Sequence, residues 1–257
     1  MSTVKTESTI IFSERPELNR PIVIEGLPGV GNVGKIVADF LADRLEAKHL
    51  ATLTSRYLPP QVLVDADSIA VMPSNEVFYA KDVGESHLDV LFLLGDFQAT
   101  TAEGQVVICD DLMKKVFLPY DVSTVFTLGG YGTGQLAENP RILATASSHS
   151  MKERLEPYGV TFSPNEPVAG IVGASGILIG LCQQYDIDAA CIMGETSGYY
   201  IDYKIALQIL DVVQKLLGTE FETADLEEKS KQIDEINNKM KLYAESQKRS
   251  DNLGYIG

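Results

Sequence analysis

Two strand-length runs, LDVLFLLG at 88–95 and AACIMG at 189–194, are apolar almost without interruption. A strand with one wet face alternates apolar and polar residues. An unbroken run belongs to a strand covered on both faces, as inside a parallel sheet flanked by helices. Further strand patterns fall at 9–12, 21–25, 49–54, 69–73, 76–80, 124–129 and, more briefly, 161–162. Helical patterns fall at 32–46, 103–117, 146–158, 174–184, 202–217 and 223–248. This alternation predicts an α/β fold, a three-layer α/β/α sandwich around a mostly parallel sheet. SIAVMP (68–73) and EVFYAK (76–81) are close enough to predict a hairpin, which would make the sheet mixed.

The core domain is expected at 1–218 and a charged helix with a tail at 219–257. In that extension Leu226, Ile233, Ile236, Met240 and Tyr243 are spaced like heptad positions. One narrow stripe of this kind packs on its own domain or on a second subunit. The 257 residues carry a net charge of -15, with an isoelectric point near 4.6. Such a surface repels phosphate backbones and anionic lipid, so neither nucleic acid nor membrane is an expected partner. No run of about 18 apolar residues is present, the length a membrane-spanning helix needs. Cys109, Cys182 and Cys191 sit in apolar settings without paired spacing, and His49, His87 and His149 are scattered. Reduced core thiols, a cytoplasmic protein and no metal site are expected.

The stretch IEGLPGVGNVGKI (24–36) places Gly29, Gly31 and Gly34 between a strand and a helix, the setting of a dinucleotide fingerprint. The second strand, however, ends at Thr54, Ser55 and Arg56, where the fingerprint wants an acid for the ribose hydroxyls. Read as a P-loop, Gly34-Lys35 is followed by Ile36, where a magnesium-binding hydroxyl belongs. The alternative is architectural: glycines let a helix start close to the sheet. A ligand loop, if present, would be Gly29, Gly31, Gly34 and Lys35 with Asp96 and Glu195, which follow strand patterns where open sheets bind ligands. These residues contain no nucleophile paired with a base, so no catalytic residue and no cofactor is assigned. Tyr57 and Leu58, before Pro59-Pro60, could form a contact surface on a rigid loop.

Six motifs in order, GLPGVGNVGKIVADFL (26–41), RYLPP (56–60), LFLLGDFQ (91–98), TLGGYGTG (127–134), GASGILIGL (173–181) and GETSGYYIDYKIA (194–206), resemble the archaeal branch of the proteasome assembly chaperone 2 family. The resemblance implies an α/β/α fold similar to nucleoside phosphorylases without their activity. It implies a non-enzymatic homo-oligomer that binds 20S proteasome α-subunits. In some members a hydrophobic-Tyr-X terminus inserts between α-subunits. Here Leu253, Tyr255, Ile256 and Gly257 would make that contact, with Tyr255 third from the end and preceded by Gly254. The same family has been likened to ATP-grasp carboxylate–amine ligases, the alternative reading, in which Lys35, Asp96 and Glu195 would serve the nucleotide.

Overall fold

The computed structural model describes residues 8–135, 137, 139–168, 170–233 and 235–236. The chain divides into two units, Met1–Phe221 and Glu222–Gly257. The first is built on one eight-stranded sheet in the order β1-β3-β6-β7-β2-β8-β10-β9. Its strands are β1 (Ser8–Phe12), β2 (Ile22–Glu25), β3 (Lys48–Ser55), β6 (Asn75–Val83), β7 (Leu88–Gly95), β8 (Thr124–Gly132), β9 (Ile142–Ala146) and β10 (Asp188–Thr196). The centre, β7-β2-β8-β10, is parallel, while β1, β6 and β9 run antiparallel to their neighbours. The mixed sheet and the three layers agree with the sequence pattern. Every residue of β2 is buried, and β7 and β10 are buried after their first residue. That is the double coverage their unbroken apolar runs imply.

Helices α1 (Val33–Arg44) and α5 (Tyr203–Leu217) pack together on one face. Helices α2 (Ala102–Leu112) and α4 (Ala174–Gln184) pack together on the other, and α3 (His149–Leu155) lies against β9 and β10. Side chains start these helices where the sequence supplies them. Thr101 accepts from Gly104 N–H, Ser148 from Met151 N–H and Asp202 from Ile205 N–H, at 3.1 Å each. Gly218 closes α5 in the left-handed conformation. Buried Ile205, Ile209, Val213 and Leu217 form its inward stripe.

Three local expectations are corrected. The 68–73 segment does not pair with 76–81. β6 has β3 on one side and β7 on the other, so neither edge is free, and β5 (Ala70–Val71) pairs instead with β4 (Leu63–Val64) in a separate two-stranded sheet. The segment expected to be helical from 146 begins as strand: β9 pairs with β10, and α3 starts only after the Ser148 cap. The 103–117 helix holds α-helical hydrogen bonding to Leu112 and continues as a π-helical turn over Met113–Phe117.

In the second unit residues 224–233 are helical, and Thr223 Oγ1 donates to Glu227 Oε1 at 2.9 Å. The remainder of the expected 223–248 helix, with Met240 and Tyr243, lies outside the described residues from 237 onward.

Candidate functional site

The glycine turn is hydrogen-bonded to the strand and loops beside it. β2 ends at Glu25, and Gly26 N–H donates to Leu93 O at 3.0 Å. Pro28 O accepts from Gln98 Nε2 at 2.7 Å, and Asp202 N–H donates to Gly31 O at 2.9 Å. Gly31 has φ 64°, the left-handed region glycine tolerates. Gly34, in the first turn of α1, lies so close to β8 that a Cβ there would overlap the Leu128 carbonyl. Its role is close approach of helix to sheet. Gly29 is extended and has open space where a Cβ would stand, so it meets no such requirement.

Lys35 and Asp96 come together, 3.6 Å apart, but Lys35 Nζ also donates to Gly95 O at 3.0 Å and lies 3.1 Å from Asp39. The ammonium thus ties α1 to the end of β7. Burial raises the Asp39 carboxyl above its ordinary value, and the Lys35 charge partly offsets this. Glu195 faces a different group. Arg141 holds it through Nε and Nη2, and Arg141 N–H donates to Glu195 Oε2 at 2.8 Å. The same guanidinium grips Glu166 at 2.9 and 3.2 Å. These bonds hold both carboxyls below the usual carboxylate range and raise the Arg141 value. Arg141 was silent in the sequence because its partners are 25 and 54 residues away.

A second buried acid was missed altogether. Glu25 has no exposed surface; Leu27 N–H donates to its Oε1 at 3.0 Å and Ser175 Oγ to its Oε2 at 2.8 Å. Burial raises its pKa to about 7 against the pull of these two donors. Register aligns Glu25 with Thr127 on β8, and Thr127 with Cys191 on β10. The free thiols of Cys109, Cys182 and Cys191 are buried, and burial pushes each up to about 12. They are inert core thiols, as their apolar settings suggested. Among the described residues no group of three His, Cys, Asp or Glu is placed to hold a metal.

Tyr57 and Leu58, read as a contact surface, point inward and are 8% and 5% exposed. The Pro-Pro turn aims them into the core, where the Tyr57 ring lies against Gly104. The exposed apolar residues lie just beyond. β2, β3, β7, β8 and β10 point the same way, so the loops leaving their ends share one rim. That rim exposes Val30 after β2, Val64, Ile69 and Met72 on the β4–β5 hairpin after β3, and Tyr199 after β10. Tyr199 is 81% exposed, beside Gly134 of the β8 loop. These side chains give that end of the sheet exposed apolar surface. The sequence hid it because β-branched residues in the hairpin read as an ordinary strand. Leu253, Tyr255, Ile256 and Gly257 lie outside the described residues. No described helix is long and apolar enough to cross a membrane.

A parallel-centred α/β/α scaffold whose glycine turn is hydrogen-bonded to the loops beside it, and which exposes apolar side chains at that end, defines the architectural class. The chain belongs to the PAC2 family, whose model matches residues 23–241. It is similar to Pyrococcus furiosus PbaB, described as an archaeal proteasome activator. The identity is 32%, the TM-score 0.87, and the match covers 92% of this chain and 99% of that one. Pyrococcus furiosus PbaA, described as an archaeal homolog of proteasome-assembly chaperone, shares the fold at 24% identity and TM-score 0.73, with 96% and 97% covered. The Methanocaldococcus jannaschii protein MJ1210 is 29% identical over 248 residues, 93% of each chain.

Proposed function

We propose that this protein is a non-catalytic proteasome-binding factor that contacts 20S α-subunits during assembly or activation. The observation that carries the reading is the full-length likeness to PbaB at 32% identity. The site chemistry supports it from the other side. Lys35 is engaged with Gly95 O and Asp39, and Glu195 with Arg141, so two of the three residues of the ligase reading hold loops together. The apolar rim supplies one contact surface. The C-terminal residues Leu253, Tyr255, Ile256 and Gly257 supply a second, with an aromatic anchor. The net charge of -15 adds attraction to a basic partner surface, and salt weakens that attraction.

The test is capture of purified α-rings and 20S particles by the full chain. Two further proteins are run beside it: one ending at Asn252, and one carrying Val64→Asp with Ile69→Asp. Retention by the full chain and loss by either variant fits the proposal and assigns the surface. Absence of capture by the full chain at low salt refutes it.

A further inference from the structure

Side chains from the end of β1, from β3 and from β6 meet around His49. In a regular strand, residues 49 and 52 would point to opposite faces. β3 bulges against β6 between His49 and Ala51, and Leu50 and Ala51 both turn into the core. The bulge therefore puts His49 on the same face as Thr52, and Thr52 stands opposite Glu76 of β6 in register. Residues scattered through the sequence are brought together by this one irregularity.

The hydrogen bonds run in a fixed order. His49 Nε2 lies 2.7 Å from Glu76 Oε2, and His49 Nδ1 lies 2.7 Å from Ser13 Oγ. Thr52 Oγ1 donates to Glu76 Oε2 at 2.6 Å, and Ser74 Oγ donates to Glu76 Oε1. A carboxylate only accepts, so the proton it shares with the imidazole sits on Nε2. Nδ1 then carries a lone pair, and the Ser13 hydroxyl donates its proton to it. The Phe78 ring stands edge-on to the imidazole, with centres 5.3 Å apart. The Glu76 and His49 side chains are 27% and 33% exposed, while Ser13 is open to solvent. A half-buried acid thus orients a ring whose free nitrogen faces an accessible hydroxyl. That is the order of acid, base and nucleophile that activates a serine.

We propose that Ser13 is a site of covalent acylation by small activated esters, with His49 as its base and Glu76 as the residue that positions the ring. Ser13 Oγ attacks the ester carbonyl carbon and forms a new O–C bond. Its proton moves to His49 Nδ1. The bond from the carbonyl carbon to the leaving oxygen breaks, and His49 returns the proton to that oxygen. The product is one ester on the chain and one free alcohol or phenol. The step is a single modification of the protein, independent of the proteasome reading, and its assay contains no proteasome component.

The experiment treats the full chain with p-nitrophenyl acetate at neutral pH and maps the acetyl groups by peptide mass spectrometry. Serine esters are told from lysine amides by their cleavage with hydroxylamine. Exposed Ser68, between β4 and β5, is the internal reference. Ser13 should acetylate about 100-fold faster than Ser68, the effect of a positioned base. His49→Gln should bring Ser13 down to the Ser68 rate, and Glu76→Gln should slow it about tenfold or more. Nitrogen spectra of a chain isotopically labelled only at its three histidines read the ring itself. His49 should show the single Nε2–H tautomer, and Glu76→Gln should mix the two tautomers, which loss of a merely structural acid would not do. Acetylation of Ser13 no faster than Ser68, or a proton on His49 Nδ1 in place of Nε2, would each overturn the proposal without any variant. An unchanged Ser13 rate in either folded variant would overturn it as well.

Discussion

Replacing Glu25 by Gln should flatten the pH dependence of stability between pH 4.5 and 8. Glu25 is fully buried, and its pKa is raised from 4.5 to about 7, chiefly by burial. A raised carboxyl means the folded state holds the proton more tightly than the unfolded state. Its contribution is complete below 4.5 and is lost as the pH climbs toward 7. The loss, once the pH is above both values, is about 3 kcal/mol. Gln reproduces the neutral acid: its oxygen accepts from Leu27 N–H, and its amide group donates to Ser175 Oγ. The variant therefore keeps the hydrogen bonds and has no proton to lose. Urea unfolding of both proteins from pH 5 to 8.5 measures the difference, because His and surface carboxylates are common to the two and cancel. The wild type should lose on the order of 3 kcal/mol relative to the variant across that window, a relative fall in Tm of about 6–12 °C. Parallel curves would show that the Glu25 site is wet or ionised, and the reasoning from burial would fail.

Gly34→Ala should destabilise by about 1–3 kcal/mol, although alanine is ordinarily the better helix former, because the new methyl overlaps Leu128 O; urea unfolding at pH 7 checks this, and a stabilised variant would refute the close-approach reading. Arg141→Met should lower Tm at neutral pH by leaving Glu195 without its partner. The Arg141 bonds lower the folded pKa of Glu195 and of Glu166, so their stabilisation is present above 4.5 and fades as the pH falls through the folded values. The Tm gap between wild type and variant should therefore narrow below pH 4.5, and a constant gap would indicate lost packing alone.

The sheet was legible where side-chain periodicity reports burial directly. The runs around Val90–Leu94 and Ala189–Met193 have the pattern of strands covered on both sides, and α1 and α5 announced themselves by their spacing. The strand ILATA was not legible. Its five residues carry too little periodicity, and what makes them a strand is the free edge that β10 offers. The 69–73 segment failed for the converse reason: the neighbour it was expected to join has both edges occupied by β3 and β7. The candidate site divides in the same way. Lys35 and Asp96 were named as residues and do meet, but Glu195 is claimed by an arginine that no local pattern could associate with it.

Composition and local pattern, taken by themselves, determined the layered α/β class, the acidic surface and the presence of a glycine turn before α1, and the ordered motifs carried the family resemblance. Those properties depend on residues near in sequence or on sums over the chain. Tertiary structure alone decided what the glycines serve, which acids are paired or buried, that Tyr57 and Leu58 face inward, and which apolar residues stay outside. Those properties depend on contacts between residues tens of positions apart. A carboxylate is neutral, paired or solvated according to what the fold packs against it, and no residue carries that information alone.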